Sequence, residues 1–136
     1  MTRATKRRLV LAAAQARKRA VAPYSRFKVG AALLTDSGKI FAGVNVESAS
    51  YGLTCCAERV ALFNALAGGA KEFIAIAIVA RLPGGPMPCG ACRQLLAEYA
   101  PRAMVWVADS RRTQTIKGFS VRELLPEAFL DFPKNK

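Results

Sequence analysis

Hydrophobic and polar positions along this chain follow two periods, one helical and one extended. Over residues 5–20, Leu9, Ala13, Ala16 and Ala20 recur at helical spacing, with Arg7, Arg8, Arg17 and Lys18 largely elsewhere. That pattern predicts an amphipathic helix, supported by the intrinsic preferences of Ala, Arg, Lys and Leu. Pro23 is expected to end it. Phe27 to Thr35 reads as a strand, Asp36-Ser37-Gly38 as a tight turn, and Lys39 to Val46 as the second strand of a hairpin. Glu47 to Thr54 is a polar loop containing Ser48, Ser50 and Tyr51.

A second helix is predicted from Cys56 to Ala67, stopped by Gly68-Gly69. Phe73 to Arg81 carries an unbroken apolar run through Ala80, the pattern of a strand covered on both faces. After a Pro/Gly loop, Cys89 to Tyr99 reads as a third helix and Ala103 to Ala108 as another buried strand, with Trp106 in the core. This strand–helix–strand order implies a parallel pair joined by a right-handed crossover. Thr113 to Phe119 is assigned as an edge strand, and Val121 to Leu125 as a short helix before Pro126. Together these elements predict a three-layer α/β/α domain, α/β in class, with a mixed sheet of about five strands.

The length, 136 residues, suits one core, so residues 1–136 are expected to form a single domain. With 52% hydrophobic and 22% charged residues the chain is not a disordered one. The apolar run from Phe73 to Ala80 is far too short to span a bilayer. The first 22 residues are basic and lack acids, but they contain no Ser, lack a secretory apolar segment, and run directly into the first strand. They are expected to belong to the fold, not to a cleaved leader. The net charge of +12 could steer anionic partners, RNA included, yet no aromatic residues interleave with the basic stretch as a stacking platform would require. A solvated helix face accounts for it.

Four cysteines change the picture. Cys55 and Cys56 are adjacent, Cys89 and Cys92 form a C-x-x-C, and all four sit where a predicted strand or loop gives way to a helix. Without an export signal this spacing indicates metal or redox chemistry in a reducing, cytoplasmic setting. The chain has no histidine, which removes every His-dependent nucleophile scheme and every imidazole metal site. Helix starts favour thiolates through their unpaired N–H groups, and the carboxyl ends of strands in an open sheet are where ligands bind. Three Cys ligands, an open fourth position and a nearby carboxylate, Glu58, would make a catalytic zinc site. Three thiolates leave a net charge of −1 on such a centre, and Arg59 is the residue placed to offset it.

Cys56-Ala57-Glu58 followed by Pro88-Cys89-Gly90-Ala91-Cys92 has the form of the zinc deaminase pattern in its all-cysteine version. The chain resembles the small, homotetrameric type of cytidine deaminase from about residue 8 to about residue 129. The resemblance rests on Ala22-Pro-Tyr-Ser-Arg-Phe-Lys-Val-Gly-Ala31, Gly43-Val-Asn-Val-Glu47, Cys56-Ala-Glu-Arg59, Pro88-Cys-Gly-Ala-Cys-Arg-Gln94 and Glu123-Leu-Leu-Pro126. It implies that Cys56, Cys89 and Cys92 ligate one Zn2+ per subunit and that Glu58 shuttles protons. It further implies that Phe27 packs on the pyrimidine, Asn45 and Glu47 hydrogen-bond the ribose, and the Ala57 backbone binds the base. Phe129 corresponds to an aromatic that enters a neighbouring subunit's site, so a homotetramer with shared sites is expected. The implied reaction is hydrolytic deamination of cytidine and deoxycytidine to the uridines, in pyrimidine salvage.

Other readings compete. A thioredoxin-like Cys89–Cys92 pair leaves Cys56, Glu58 and Arg59 unexplained. A structural zinc site would want a fourth ligand, and Cys55, adjacent to Cys56, leaves a turn in a different direction, so it reads as a packed free thiol. A blasticidin S-type deaminase acts on a modified sugar, where a carboxylate placed like Glu47 is not expected. An RNA-binding or editing deaminase is suggested only by the charge, and the chain lacks insertions to hold a polynucleotide.

Overall fold

The structure is a computed structural model that describes residues 2–131. Its helices are α1 (Arg3–Arg17), α2 (Ala57–Ala67), α3 (Gly90–Tyr99) and α4 (Val121–Leu124), and its strands are β1 (Val29–Thr35), β2 (Ile40–Val44), β3 (Phe73–Ala80), β4 (Met104–Asp109) and β5 (Lys117–Ser120). The strands form one mixed sheet in the order β2-β1-β3-β4-β5. Only β3 and β4 run parallel, on either side of α3 in sequence, and the other neighbours are antiparallel.

Two cores separate the layers. On one face Leu9, Val10 and Ala13 of α1 pack on Ala32, Leu34, Ala75, Ala77, Val79 and Trp106. On the other, Ala57, Ala61, Leu62 and Leu96 of α2 and α3 pack on Ala31, Leu33, Ile76, Ile78, Val105 and Val107. Each fully buried Leu or Ile contributes roughly 1.5–3 kcal/mol by leaving water. Adjacent residues of β1 and β3 face opposite cores, so both strands are apolar throughout; within β3 only Ile74 is exposed.

Close approach of the helices depends on two missing side chains. A Cβ at Gly30 would lie 2.0 Å from the Ala13 carbonyl oxygen, and one at Gly43 would lie 2.4 Å from the Ala57 carbonyl oxygen and from the Ala61 nitrogen. Helices α1 and α2 therefore rest on bare sheet backbone.

Several boundaries differ from expectation for local reasons. Helix α1 starts at Arg3 because the Thr2 hydroxyl caps it, accepting the Thr5 N–H at 3.1 Å. It stops well before Pro23, since Val21 is drawn into a parallel bridge with Val46. Strand β1 begins at Val29 and not Phe27, because the Phe27 carbonyl accepts from the Asn45 side chain instead of a strand neighbour. Strand β2 stops at Val44, where Asn45 leaves the ladder. The edge strand β5 is confined to Lys117–Ser120, and Ser120 with Glu123 forms a capping box that opens α4.

Candidate active site

Register fixes which ends of the strands meet. Val29 pairs with Ala80, Ala80 with Asp109, and Gly30 with Val44, so the carboxyl ends of β2, β3 and β4 lie along one end of the sheet. The segments leaving β2 and β3 at that end lead into α2 and α3. Cys56 is the N-cap of α2 and Cys89 the N-cap of α3, while Cys92 lies in the first turn of α3. Sequence expectation placed both cap residues inside the helices; as caps they stand beside the helices' unpaired N–H groups.

The three sulfurs converge. Cys56 Sγ lies 3.7 Å from Cys89 Sγ, and Cys89 Sγ 3.5 Å from Cys92 Sγ. Among the described residues this is the one group of three or more Cys, Asp or Glu side chains with ligand atoms all within 4.8 Å. A tetrahedral zinc with bonds of about 2.3 Å sets its sulfur ligands roughly 3.8 Å apart, so the trio has the dimensions of a zinc site. Glu58 falls outside that trio, and so does Cys55.

The thiols polarise one another. Cys56 is pulled down to about 5, first by its hydrogen bond with Cys92 and then, against the cost of burial, by Arg59 and Cys89. Cys92 is pushed upward, by that same hydrogen bond and then by burial. Metal ligation needs all three as thiolates, so a bound cation would displace the protons they carry. Arg59 Nη2 donates to Cys56 Sγ at 3.6 Å and to the Thr54 carbonyl at 3.2 Å, while its Nε is buried without a hydrogen-bond partner among the described residues. Arg59 lies where the expected charge compensation requires it.

Glu58, in the first turn of α2, is only 5% exposed. Burial pushes its carboxyl up to about 7, opposed by its own backbone N–H and reinforced by the charge of Cys56. A buried carboxyl titrating near neutrality beside a thiolate cluster can take up and release a proton. Cys55 forms an antiparallel bridge with Val46, and burial raises its thiol above the usual range. It is a free, half-buried thiol beside the ligand trio, as the sequence suggested.

Phe27, Asn45 and Glu47 lie at the same end of the sheet, on the loops that flank β1 and β2. Asn45 is buried, its Oδ1 accepting the Val29 N–H at 2.9 Å and its Nδ2 donating to the Phe27 carbonyl at 2.8 Å. Glu47 Oε1 accepts the N–H groups of Tyr24 and Ser25, both at 3.0 Å, and Oε2 accepts the Ser25 hydroxyl. Those bonds, the Ser25 hydroxyl foremost, hold its carboxyl below the usual range. Phe27 is 40% exposed, which removes a core role for it. A cavity of about 400 Å³ lies beside these residues, lined by Tyr24, Ser25, Glu47, Ser48, Tyr51 and Thr54, within the size range of small-molecule sites. Tyr51 is thus an exposed cavity wall. Phe129 is 60% exposed, and its carbonyl accepts from Gln94 Nε2 at 2.7 Å, which ties the C-terminal segment to the helix carrying Cys92. Sequence reasoning gave no role to Ser25 or Thr54. The Pro23-Tyr24-Ser25 turn signal was the available clue.

The family model for the cytidine and deoxycytidylate deaminase zinc-binding region matches residues 3–108. A cytidine deaminase of Halalkalibacterium halodurans is 50% identical over 121 residues, covering 89% of this chain and 91% of the relative. The crystal structure of cytidine deaminase from Burkholderia pseudomallei superimposes with a TM-score of 0.87 at 49% identity, covering 95% of this chain and 100% of the other. A blasticidin-S deaminase of Bacillus cereus is more distant, 31% identical over 111 residues, covering 75% of this chain and 76% of the relative.

Proposed function

The chain belongs to the cytidine and deoxycytidylate deaminase family, and on that premise we propose that it hydrolyses cytidine and deoxycytidine to uridine and deoxyuridine, releasing ammonia. The observation that carries this reading is the convergence of Cys56, Cys89 and Cys92 at two helix starts beside the buried Glu58. Cys56, Cys89 and Cys92 would hold the zinc ion, which when bound supplies an acidified water at an open fourth position.

The chain's own residues do the rest. Glu58 would carry one proton of the water that adds to C4 onto N3 of the ring. Glu58 would then carry the remaining proton of that added hydroxyl to the amino group, which leaves as ammonia as the C4–N bond breaks and the C4 carbonyl forms. Its near-neutral titration suits both directions of transfer. Arg59 offsets thiolate charge at Cys56. Ala57 is the first residue of α2, so its N–H has no partner in the helix ladder, which leaves the Ala57 backbone for the base. Phe27 lies against the ring, and Asn45 and Glu47 take the sugar. Asn45 keeps one amide hydrogen for this beyond its two backbone bonds.

Absorbance change with cytidine tests the reaction. Steady conversion to uridine by zinc-replete protein is expected, with Glu58→Ala lowering kcat by about 10²–10⁴-fold at unchanged zinc content. Conversion of blasticidin S but not of cytidine would replace the substrate while keeping the chemistry.

The finer organisation is proposed on the same basis. Residues 1–136 form one zinc domain, of which 1 and 132–136 lie outside the described residues. No helix among the described residues is long and apolar enough to cross a membrane, and a cytoplasmic location suits the free thiols. A homotetramer is supported by apolar side chains left exposed around the site end of the fold, Tyr51 at 84%, Leu53 at 74% and Tyr24 at 58%. Light scattering giving the mass of one chain would overturn that assembly.

A further inference from the structure

The residues assigned to the sugar and to the base are joined through one hydroxyl. Ser25 donates its only hydroxyl hydrogen to Glu47 Oε2, and Ser25 Oγ in turn accepts the Phe27 N–H at 2.9 Å. The other side of Phe27 is held by Asn45, whose Nδ2 binds the Phe27 carbonyl at 2.8 Å. Both polar backbone groups of Phe27 therefore end on side chains, and these side chains lead to the sugar-binding pair. Between Ser25 and Phe27, Arg26 adopts φ 60°, the left-handed conformation that residues other than glycine avoid. Such a turn persists where its surroundings over-determine it, and here Glu47 supplies three accepted hydrogen bonds to it.

An ionised carboxylate has about four acceptor positions. With three taken by Tyr24 and Ser25, Glu47 retains one for a ligand hydroxyl. We propose that Ser25 is a positioning residue that couples sugar recognition to base recognition: its hydroxyl orients Glu47 toward the sugar and, by accepting the Phe27 N–H, sets the ring of Phe27 against the pyrimidine. This rests on the nucleoside deaminase reading above. A sugar hydroxyl on the last acceptor position of Glu47 polarises and orders the turn that carries Phe27. A nucleoside without the 2′- and 3′-hydroxyls leaves the sugar side of the coupling unused.

The test compares cytidine with 2′,3′-dideoxycytidine in wild type, Ser25→Ala and Ser25→Thr. For Ser25→Ala the KM for cytidine is expected to rise about tenfold, the size of losing a hydrogen bond to a charged group, with kcat within about twofold. The inhibition constant of 2′,3′-dideoxycytidine, which loses only the Phe27 support, is expected to rise by a smaller factor than the cytidine KM. Ser25→Thr, which keeps the hydroxyl, should restore the cytidine KM. Equal weakening of both nucleosides, or a fall in kcat at constant KM, would overturn the coupling while leaving the deaminase reading intact. Wild-type protein that binds zinc but does not convert cytidine would overturn the parent reading and this one with it. Should Ser25→Ala not accumulate folded, Ser25→Cys, a weak donor of similar size, carries the same comparison.

Discussion

The two ends of the site are built by different means. At the thiol end, Cys56 and Cys89 cap helices, and Cys92 and Glu58 sit in first turns, so secondary structure sets their positions. At the sugar end, Asn45, Glu47, Ser25 and Phe27 lie outside the strands and are held by side-chain bonds to backbone groups. Each end pairs buried groups with open ones: Cys92 and Glu58 are buried while Cys89 is exposed, and Asn45 is buried while Phe27 is 40% exposed. Bond-making groups need placement within fractions of an ångström on rigid elements, whereas recognition tolerates a polar network that adjusts as ligand enters.

Breaking the thiol end should be absolute. Cys92→Ala, or exhaustive chelation of the wild type, is expected to remove zinc and bring turnover below detection, with the melting temperature falling as the metal's binding energy is lost. Atomic absorption and a thermal melt read both. Full activity in Cys92→Ala would show that the convergent sulfurs are not the metal site. Arg59→Ala tests the support of that end: zinc should stay bound while kcat drops about 10–100-fold, in the range for groups that tune a metal ligand. Full activity in that variant would remove the charge-compensating role.

Disturbing the sugar end should show in pH dependence more than in rate. The folded-state pKa of Glu47 is lowered, first of all by Ser25, so its contribution to stability is complete above its unfolded pKa and is lost as pH falls through the folded one. Ser25→Ala should therefore melt below wild type at neutral pH, with the gap closing as pH drops through the carboxylate range. A gap constant with pH would show that the Ser25–Glu47 bond does not set that titration. The smallest effect is expected at Cys55, on the border between the ends. Cys55→Ser should keep one zinc per chain and kcat within about twofold, because its sulfur stands outside the converging trio. Loss of metal there would exchange the roles of the paired cysteines.

The same contrast explains what could be read in advance. The helices and apolar strands were legible because periodicity is a local pattern carried by one short segment. The sulfur trio was legible because Cys-Ala-Glu and C-x-x-C, although 33 positions apart, are each short motifs with few other uses. Phe27 was expected inside a strand because its apolar neighbours continue the pattern, but its carbonyl is claimed by Asn45, 18 positions away. Ser25 went unassigned because its partner Glu47 lies 22 positions on, and nothing in a serine two positions after a proline specifies that pairing. The edge strand began later than expected because the chain still turns over residues 112–115, where the Thr115 N–H donates to the Arg112 carbonyl at 3.1 Å. Contacts between distant loops, unlike periodicity, leave no repeating mark in one sequence.

Gly43 has an evolutionary consequence. Because α2 occupies the space a side chain would take there, the depth at which Cys56 and Glu58 meet a substrate is gauged by backbone against backbone and has no adjustable spacer. Descendants of such a scaffold can explore new substrates by rewriting the loop from Asn45 to Thr54 one residue at a time, while the distance from reacting carbon to proton carrier is inherited unchanged. Diversification is thereby channelled to the rim, and the reaction itself is kept out of its reach.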